Sequence, residues 1–353
     1  MHPAEMRAAL YLGPEQIELR RVPIPEPKAG EILVKVRAAT TCGTDVKTFR
    51  RGHPKFPPPL IFGHEFAGDV AALGAGVERF KPGMRVTANV FAECGGCFYC
   101  QHGQGNLCDN LEYNFGAFAE YMVIPGSIAR LNTFEIPAEI PYAEAAILEP
   151  LVSVVHAQRL VQIQPGESVA ILGAGGPIGM LHLQMAALAG AAEIIAVEKS
   201  PLRLAAVGQL GANHLLDPGE LDLVETIRQL TGGRGADVVI ECAGTKATWE
   251  ASMQAARKGG RVLWFGGLPA GTRVELDATH LHYNAIVLYN THGGTAQDAR
   301  EAMALIASRT LNLQPLLSGF LPLEQVELAL RKMMAGEVIK IVIDPQLEAD
   351  ISC

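Results

Sequence analysis

Four cysteines, Cys94, Cys97, Cys100 and Cys108, fall within fifteen residues in the run ECGGCFYCQHGQGNLC, a spacing that suits four thiolates converging on one tetrahedral zinc ion. Two-residue gaps let the chain fold back so that successive sulfurs face one point, and the intervening glycines permit the turns this needs. The alternatives are two disulfides or four free thiols, and bridges between cysteines so close in sequence would be strained. A site closed by four thiolates leaves no position for a substrate, so the cluster is expected to hold together a lobe of about residues 93–109. A second set lies upstream. Cys42, in Cys42-Gly43-Thr44-Asp45, and His64-Glu65, after Gly63, offer a thiolate, an imidazole and a carboxylate, a donor set that zinc accepts. Each of these residues alone would signify a small buried side chain or a polar turn; together they form a candidate metal centre.

A third group has the form of a phosphate cradle. The apolar run SVAIL (168–172) leads into Gly173-Ala174-Gly175-Gly176-Pro177-Ile178-Gly179 and then into MLHLQMAALAG, which has helical periodicity. Glycines at such a turn let the backbone approach a pyrophosphate, which then lies at the positive end of the helix. From Gly173 to Gly179 the spacing is one residue longer than the usual fingerprint, so either Gly173 or Ala174 stands at its first position. Glu198 ends the next apolar run, nineteen residues after Gly179, where a carboxylate accepts hydrogen bonds from the ribose hydroxyls of NAD and repels a 2′-phosphate. Lys199 and Arg203 lie close enough to soften that preference for NAD over NADP. The turns Glu241-Cys242-Ala243-Gly244 and Phe265-Gly266-Gly267 are expected on the same edge, which makes Cys242, Ala243 and Gly266 further candidate cofactor contacts.

The elements that must position these groups change character near Pro150. Residues 1–150 read as short β segments punctuated by turns: EILVKVRAA alternates, VPIPEPKAGE is a proline-rich connection, and RFKPGMRVTA pairs a Pro-Gly turn with a strand. The stretch EPLVSVVHAQRLVQ (149–162) is expected to be a helix connecting two halves. From 151 to 290 apolar strands (SVAIL, EIIAV, HLL, DVVIE, RVLWF and AIVLY) alternate with longer segments, the pattern of a parallel, doubly wound α/β sheet covered on both faces. From 291 to 353, two helical stretches (296–309 and 322–335) and a last strand, VIKIVID, are expected to return to the first domain.

Composition narrows the partners. The 353 residues are 49% hydrophobic and 19% charged, an ordinary globular balance in which two domains can each bury a core. A formal charge of −8 and the absence of a basic run argue against nucleic acid as a partner. No signal peptide is recognisable at the N-terminus, and no apolar run approaches a membrane span, so a cytoplasmic protein is expected. Seven cysteines, four of them clustered, fit a reducing compartment in which thiols bind metal, and Cys353 at the chain end is read as incidental.

With CGTD, GHE, the four-cysteine lobe and the nucleotide domain in this order, nearly the whole chain resembles the zinc-dependent medium-chain dehydrogenases, in their polyol and threonine dehydrogenase branch. The resemblance implies a GroES-like, mostly β catalytic domain followed by a Rossmann NAD-binding domain, with one catalytic and one structural zinc per subunit. It implies hydride transfer between an alcohol carbon and the nicotinamide, with zinc as Lewis acid. Cys42 and His64 match the catalytic zinc ligands, and Cys94, Cys97, Cys100 and Cys108 match the structural lobe. Glu65 and Glu149, the latter in LEPLVSVVHA, match carboxylates that bind zinc directly or through water in that branch. Thr44 matches the hydroxyl of a proton relay, whereas Lys47 stands where many relatives end that relay with a histidine. Lys47 either takes part with a lowered pKa or hydrogen-bonds substrate or cofactor. Thr48 replaces an aromatic residue frequent in sorbitol dehydrogenases, so sorbitol specificity does not transfer directly. The carboxylate-rich metal shell and the polar residues Lys47, His53, Tyr289, Asn290 and His292 favour a polyol, cyclitol or sugar. L-Threonine or a simple alcohol is the alternative substrate, and a non-catalytic zinc- and nucleotide-binding protein the contrasting class. A homodimer or homotetramer is expected from the same resemblance, through exposed strand edges.

Overall fold

The strand Ile32–Thr40 carries the alternation expected of it: Val34 and Val36 are fully buried, while Lys35 and Arg37 between them stay partly exposed. In the computed structural model, which describes residues 4–219 and 221–348, this strand is the centre of a seven-stranded sheet. Glu65–Leu73 and Tyr121–Ile124 pair with it antiparallel, as does Lys340–Ile343 from the far end of the chain. The register puts Thr40 opposite both Glu65 and Val342, so the end of one strand meets residues 25 positions away and some 300 positions away. A core containing Val34, Val36, Phe62, Phe66, Phe118 and Ile343 lies against this sheet. Cys353 lies outside the described residues.

Residues separate into two compact units, one made of 1–152 with 294–353 and the other of 153–293. In the first, the C-terminal segment forms the helices Ala296–Ala307 and Val326–Ala335, close to the periodic stretches in the sequence. Between them lies a strand, Leu317–Leu321, that the sequence reading missed. It contains Gly319 and half-exposed residues, and it exists because it pairs with Lys340–Ile343, a contact invisible locally.

The second unit is a six-stranded, all-parallel sheet. Its order is His214–Leu216, Glu193–Val197, Ser168–Leu172, Ala236–Glu241, Ala256–Trp264, Val287–Asn290. The five residues of Ser168–Leu172 are all buried, as expected for a strand covered on both faces. The chain leaves this strand towards one edge, returns, and proceeds to the other, which makes its C-terminal end the topological switch point. Helix Pro177–Leu188 follows, with Pro at its first turn, where no N–H is required. Among the described residues no helix is long and apolar enough to cross a membrane.

Inside that helix sits a fully buried imidazole. His182 Nδ1 is 2.9 Å from Gln158 Nε2 and its ring meets Phe265 edge-on at 5.0 Å, while Nε2 has no partner among the described residues. Burial pushes His182 down to about 3 from its ordinary 6.5. The unfolded chain therefore takes a proton below pH 6.5 that the native state refuses until about pH 3. Stability is full above 6.5 and falls with decreasing pH across that window, by up to about 1.4 kcal/mol per pH unit. The profile of unfolding free energy against pH should be flatter in His182→Leu; profiles that run parallel would show that the imidazole is not held neutral.

Candidate metal centre and cofactor turns

Cys42 is the N-cap of helix Gly43–Arg51, which starts directly after the central strand. The Thr44 N–H donates to Cys42 Sγ at 3.4 Å, and the Cys42 N–H donates to Asp45 Oδ2 at 2.9 Å, a reciprocal cap that fixes the thiol. Glu65 begins the adjacent strand, with His64 immediately before it, and the ligating atoms of Cys42, His64 and Glu65 lie within 4.8 Å of one another. Burial pushes the Cys42 thiol up, and the nearby Glu65 charge adds to that. His64 is driven well above its usual range: burial opposes its charge, but Asp45 and Cys42 outweigh burial. Asp45, itself fully buried, places Oδ1 3.0 Å from His64 Nδ1.

Glu65 is the most constrained group. Its Oε2 accepts hydrogen bonds from the Thr40 hydroxyl and from the Lys340 ammonium, while its Oε1 is buried with no partner among the described residues. Lys340 is fully buried and also donates to the Thr41 carbonyl at 2.7 Å. Burial opposes its charge, but the Glu65 and Cys42 charges raise its pKa. One carboxylate oxygen is thus anchored and the other is left over beside a thiol and an imidazole. An orphaned buried oxygen in that company fits a zinc ligand, and the three donor types are those that zinc takes.

Glu149, on helix Leu148–Val161, is not part of that close set among the described residues. Burial pushes its carboxyl up to about 7, with Glu65 adding to the shift and His64 and Lys340 opposing it, so it shares the electrostatic environment without joining the cluster. Thr44 is half-buried on the first turn of its helix, and Lys47 lies exposed on the same helix. His53 is in the loop that follows, whereas Tyr289, Asn290 and His292 belong to the second unit, at the end of its edge strand.

The four lobe cysteines are free thiols whose sulfurs also lie within 4.8 Å of one another. Backbone N–H groups of Cys94 and Asn110 point at Cys108 Sγ, each at 3.3 Å. Hydrogen bonds from the Gly96 and Cys97 backbone pull Cys94 down to about 6, whereas burial and the neighbouring thiols push Cys100 up to about 12. Amide donors aimed at sulfur favour thiolate, the form that binds metal, and four such sulfurs at this separation fit zinc.

In the second unit the strand-end turns pack against one another by backbone. Gly173, rather than Ala174, takes the left-handed turn (φ +83°), and a Cβ there would lie 2.7 Å from the Ala243 nitrogen. Gly175 abuts Glu198, Gly179 abuts the Gly173 carbonyl, and Gly266 abuts Gly244, each at a distance no side chain tolerates. Gly176 caps the helix that Pro177, Ile178 and Gly179 begin. Glu198 Oε1 accepts the Ser200 N–H at 2.9 Å and Oε2 the Gly175 N–H at 3.2 Å, so the carboxylate is held against the glycine turn. Arg203 packs its Cβ beside Gly175, Lys199 is exposed, and Cys242 is half-buried with its N–H on Leu172.

Residues 28–133 match the model of the alcohol dehydrogenase GroES-like domain, and residues 177–308 that of the zinc-binding dehydrogenases. An L-threonine 3-dehydrogenase of Symbiobacterium thermophilum is 37% identical over 94% of this chain and 95% of its own. The chain belongs to the zinc-binding alcohol dehydrogenases. A sorbitol dehydrogenase of Bacillus subtilis is 32% identical over 97% of this zinc-binding dehydrogenase and 98% of its own length. A crystal structure described as a zinc-binding dehydrogenase of Sinorhizobium meliloti 1021 bound to NADP superposes with TM-score 0.90 and 34% identity, covering 97% of this chain and 100% of that one. The family expected from the motifs and its two-domain fold class are thereby borne out, and this dehydrogenase is an NAD(P)- and zinc-dependent alcohol dehydrogenase.

Three residues of this dehydrogenase escaped the sequence reading: Asp45, Thr40 and Lys340. Asp45 was visible inside CGTD, where an acid three residues after a helix N-cap signals a capping box, but its second contact, to His64, is tertiary. Thr40 and Lys340 carry no local signal. Asp45→Asn keeps size and the Cys42 contact while removing the charge beside His64. It should weaken zinc at this centre by about 10–100-fold, measured by competition against a chromophoric chelator; unchanged affinity would show that His64 is oriented by another group.

Proposed function

We propose that this dehydrogenase oxidises a secondary alcohol of a polyol, cyclitol or sugar with NAD, Cys42, His64 and Glu65 holding the catalytic zinc and Glu149 standing by as an alternative carboxylate. The carrying observation is the divided Glu65 carboxylate, one oxygen anchored by Lys340 and the other buried and unpartnered beside Cys42 and His64. Zinc bound there supplies Lewis acidity that makes a substrate hydroxyl acidic. Asp45 keeps the His64 ring oriented, and the cap around Cys42 fixes the thiolate. Thr44, at the start of the capped helix, is the hydroxyl we assign to proton relay; Lys47 follows three residues later on the same helix. Bound NAD would supply the hydride acceptor, and with a proton released to solvent the products would be a ketone, NADH and H+.

We assign the dinucleotide to the turns Gly173–Gly179, Cys242–Gly244 and Gly266, with Glu198 favouring NAD. The named sorbitol dehydrogenase relative supports a polyol. The named threonine dehydrogenase relatives support a second reading, L-threonine. NADH and NADPH formation at 340 nm across polyols, cyclitols, sugars, L-threonine and simple alcohols separates the two. Polyol turnover with NAD is expected, and turnover of L-threonine alone would sink the polyol reading. We further infer a homo-oligomer, because the edge strand Val287–Asn290 pairs on one side only among the described residues and Tyr283, 80% exposed, and Val287, 44% exposed, lie on or beside it. A cytoplasmic location would keep the lobe thiols reduced for metal.

A further inference from the structure

Residues 46–63, from the helix capped by Cys42 up to His64, contain Lys47, Arg50, Arg51, His53 and Lys55 and no acidic residue, in a chain of net charge −8. Among the described residues, neither Arg51 nor Lys55 has a carboxylate partner. The Lys55 N–H donates to His53 Nδ1 at 3.1 Å, so the neutral imidazole carries its hydrogen on Nε2 and offers it as a donor. Arg51 ends helix Gly43–Arg51 two residues before His53, and burial lowers the His53 pKa, with the charges of Lys55 and Arg51 lowering it further.

Two of these donors, His53 and Lys55, are held in a frame that reaches the candidate metal centre. His53 meets Phe56 edge-on at 4.9 Å, and Phe56 lies 6.2 Å from the His64 ring. From Phe56 the frame continues through Phe115 at 4.4 Å to Tyr113, stacked on Phe115 at 5.7 Å, and the Tyr113 hydroxyl accepts a hydrogen bond from the Lys55 ammonium. Lys55 is therefore positioned before any ligand arrives, by a neutral partner that leaves its charge uncompensated. One aromatic ring, Phe56, thus lies between the His53 ring and the imidazole of the metal centre.

We propose that the alcohol substrate carries an oxyanion group at the end remote from the oxidised carbon, bound by Arg51, His53 and Lys55. This rests on the polyol reading and narrows it to acidic polyols, such as polyol phosphates or aldonates. Hydrogen bonds between charged partners are the stronger kind, and losing one of these donors should cost about tenfold in binding.

Two measurements test it. The first compares kcat/KM for sorbitol, sorbitol 6-phosphate and gluconate at fixed ionic strength, in the native enzyme and in Arg51→Gln and Lys55→Gln. An acidic compound should exceed sorbitol by about 100-fold, with each substitution raising its KM about tenfold; the phosphate and the carboxylate arms tell the two anions apart. Equal or better use of sorbitol would overturn the acidic substrate while leaving the polyol reading intact. The second titrates histidine-labelled enzyme by NMR with inorganic phosphate, the His53 signal assigned by its loss in His53→Asn. A phosphate-dependent rise in the His53 pKa, weakened in Lys55→Gln, supports the site independently of turnover. That rise without turnover of any polyol would keep the anion site and overturn the polyol reading, and no response to phosphate would overturn the anion site.

Discussion

Lys340→Met is expected to destabilise this dehydrogenase by about 3–5 kcal/mol, the usual cost of removing one member of a buried ion pair and leaving the other uncompensated. Lys340 and Glu65 are both fully buried, and the ammonium is the only cation bonded to that carboxylate among the described residues. Methionine fills much the same volume without supplying a charge or a donor, so the Thr41 carbonyl also loses a partner. The double variant Lys340→Met with Glu65→Leu removes both charges and should regain most of the lost stability, because the desolvation cost of Glu65 disappears with it. The loss in the single variant should be smaller with zinc saturating than with zinc depleted, since the dication then takes over as counter-charge. Urea unfolding of the four forms of the cycle measures this. Additive losses would show that Lys340 and Glu65 are not coupled, and the view of a divided carboxylate would fall with them.

The second large effect is expected from Cys100→Ser. The lobe between Cys94 and Cys108 buries only Gly105, Asn106 and Cys108, so little apolar packing holds it without metal. Its shape must come from the sulfurs, and a metal that binds only the folded lobe contributes its binding free energy to folding. Zinc content should fall from two ions per chain to one, residues 93–109 should become open to protease, and Tm should drop on the order of 10 °C. The damage should travel further than the lobe, because Glu93, at its base, accepts the N–H of Ala296 at 3.0 Å, the first residue of the helix Ala296–Ala307. Two zinc ions per chain and an unshifted Tm in Cys100→Ser would refute a structural metal in the lobe.

Both effects depend on residues that differ in how readable they are. Cys100 sits in a local motif, where spacing alone brings four sulfurs to one point, and the structure finds them there. The glycine turn was equally legible, because a strand, a close backbone approach and a helix start are consecutive in sequence. Even there, the choice between Gly173 and Ala174 needed the fold, since only contact with Ala243, some 70 residues on, shows which position excludes a side chain. Glu149 shows the opposite limit. The motif nominates it as a ligand, while its distance from the other donors is a property of how helix Leu148–Val161 packs.

By itself the sequence determined the family, the alternation of β-rich and α/β regions, and the residues able to bind zinc and a dinucleotide, since these follow from short-range spacing and side-chain chemistry. Only the tertiary structure decided how Glu65 divides its two oxygens, that Asp45 rather than a distant acid faces His64, and that the basic loop around Lys55 is tied by aromatic rings to the metal centre. The physical reason is that sheet pairing is non-local. Lys340 reaches Glu65 because Lys340–Ile343 runs antiparallel to Ile32–Thr40, and no pattern within either strand encodes that register.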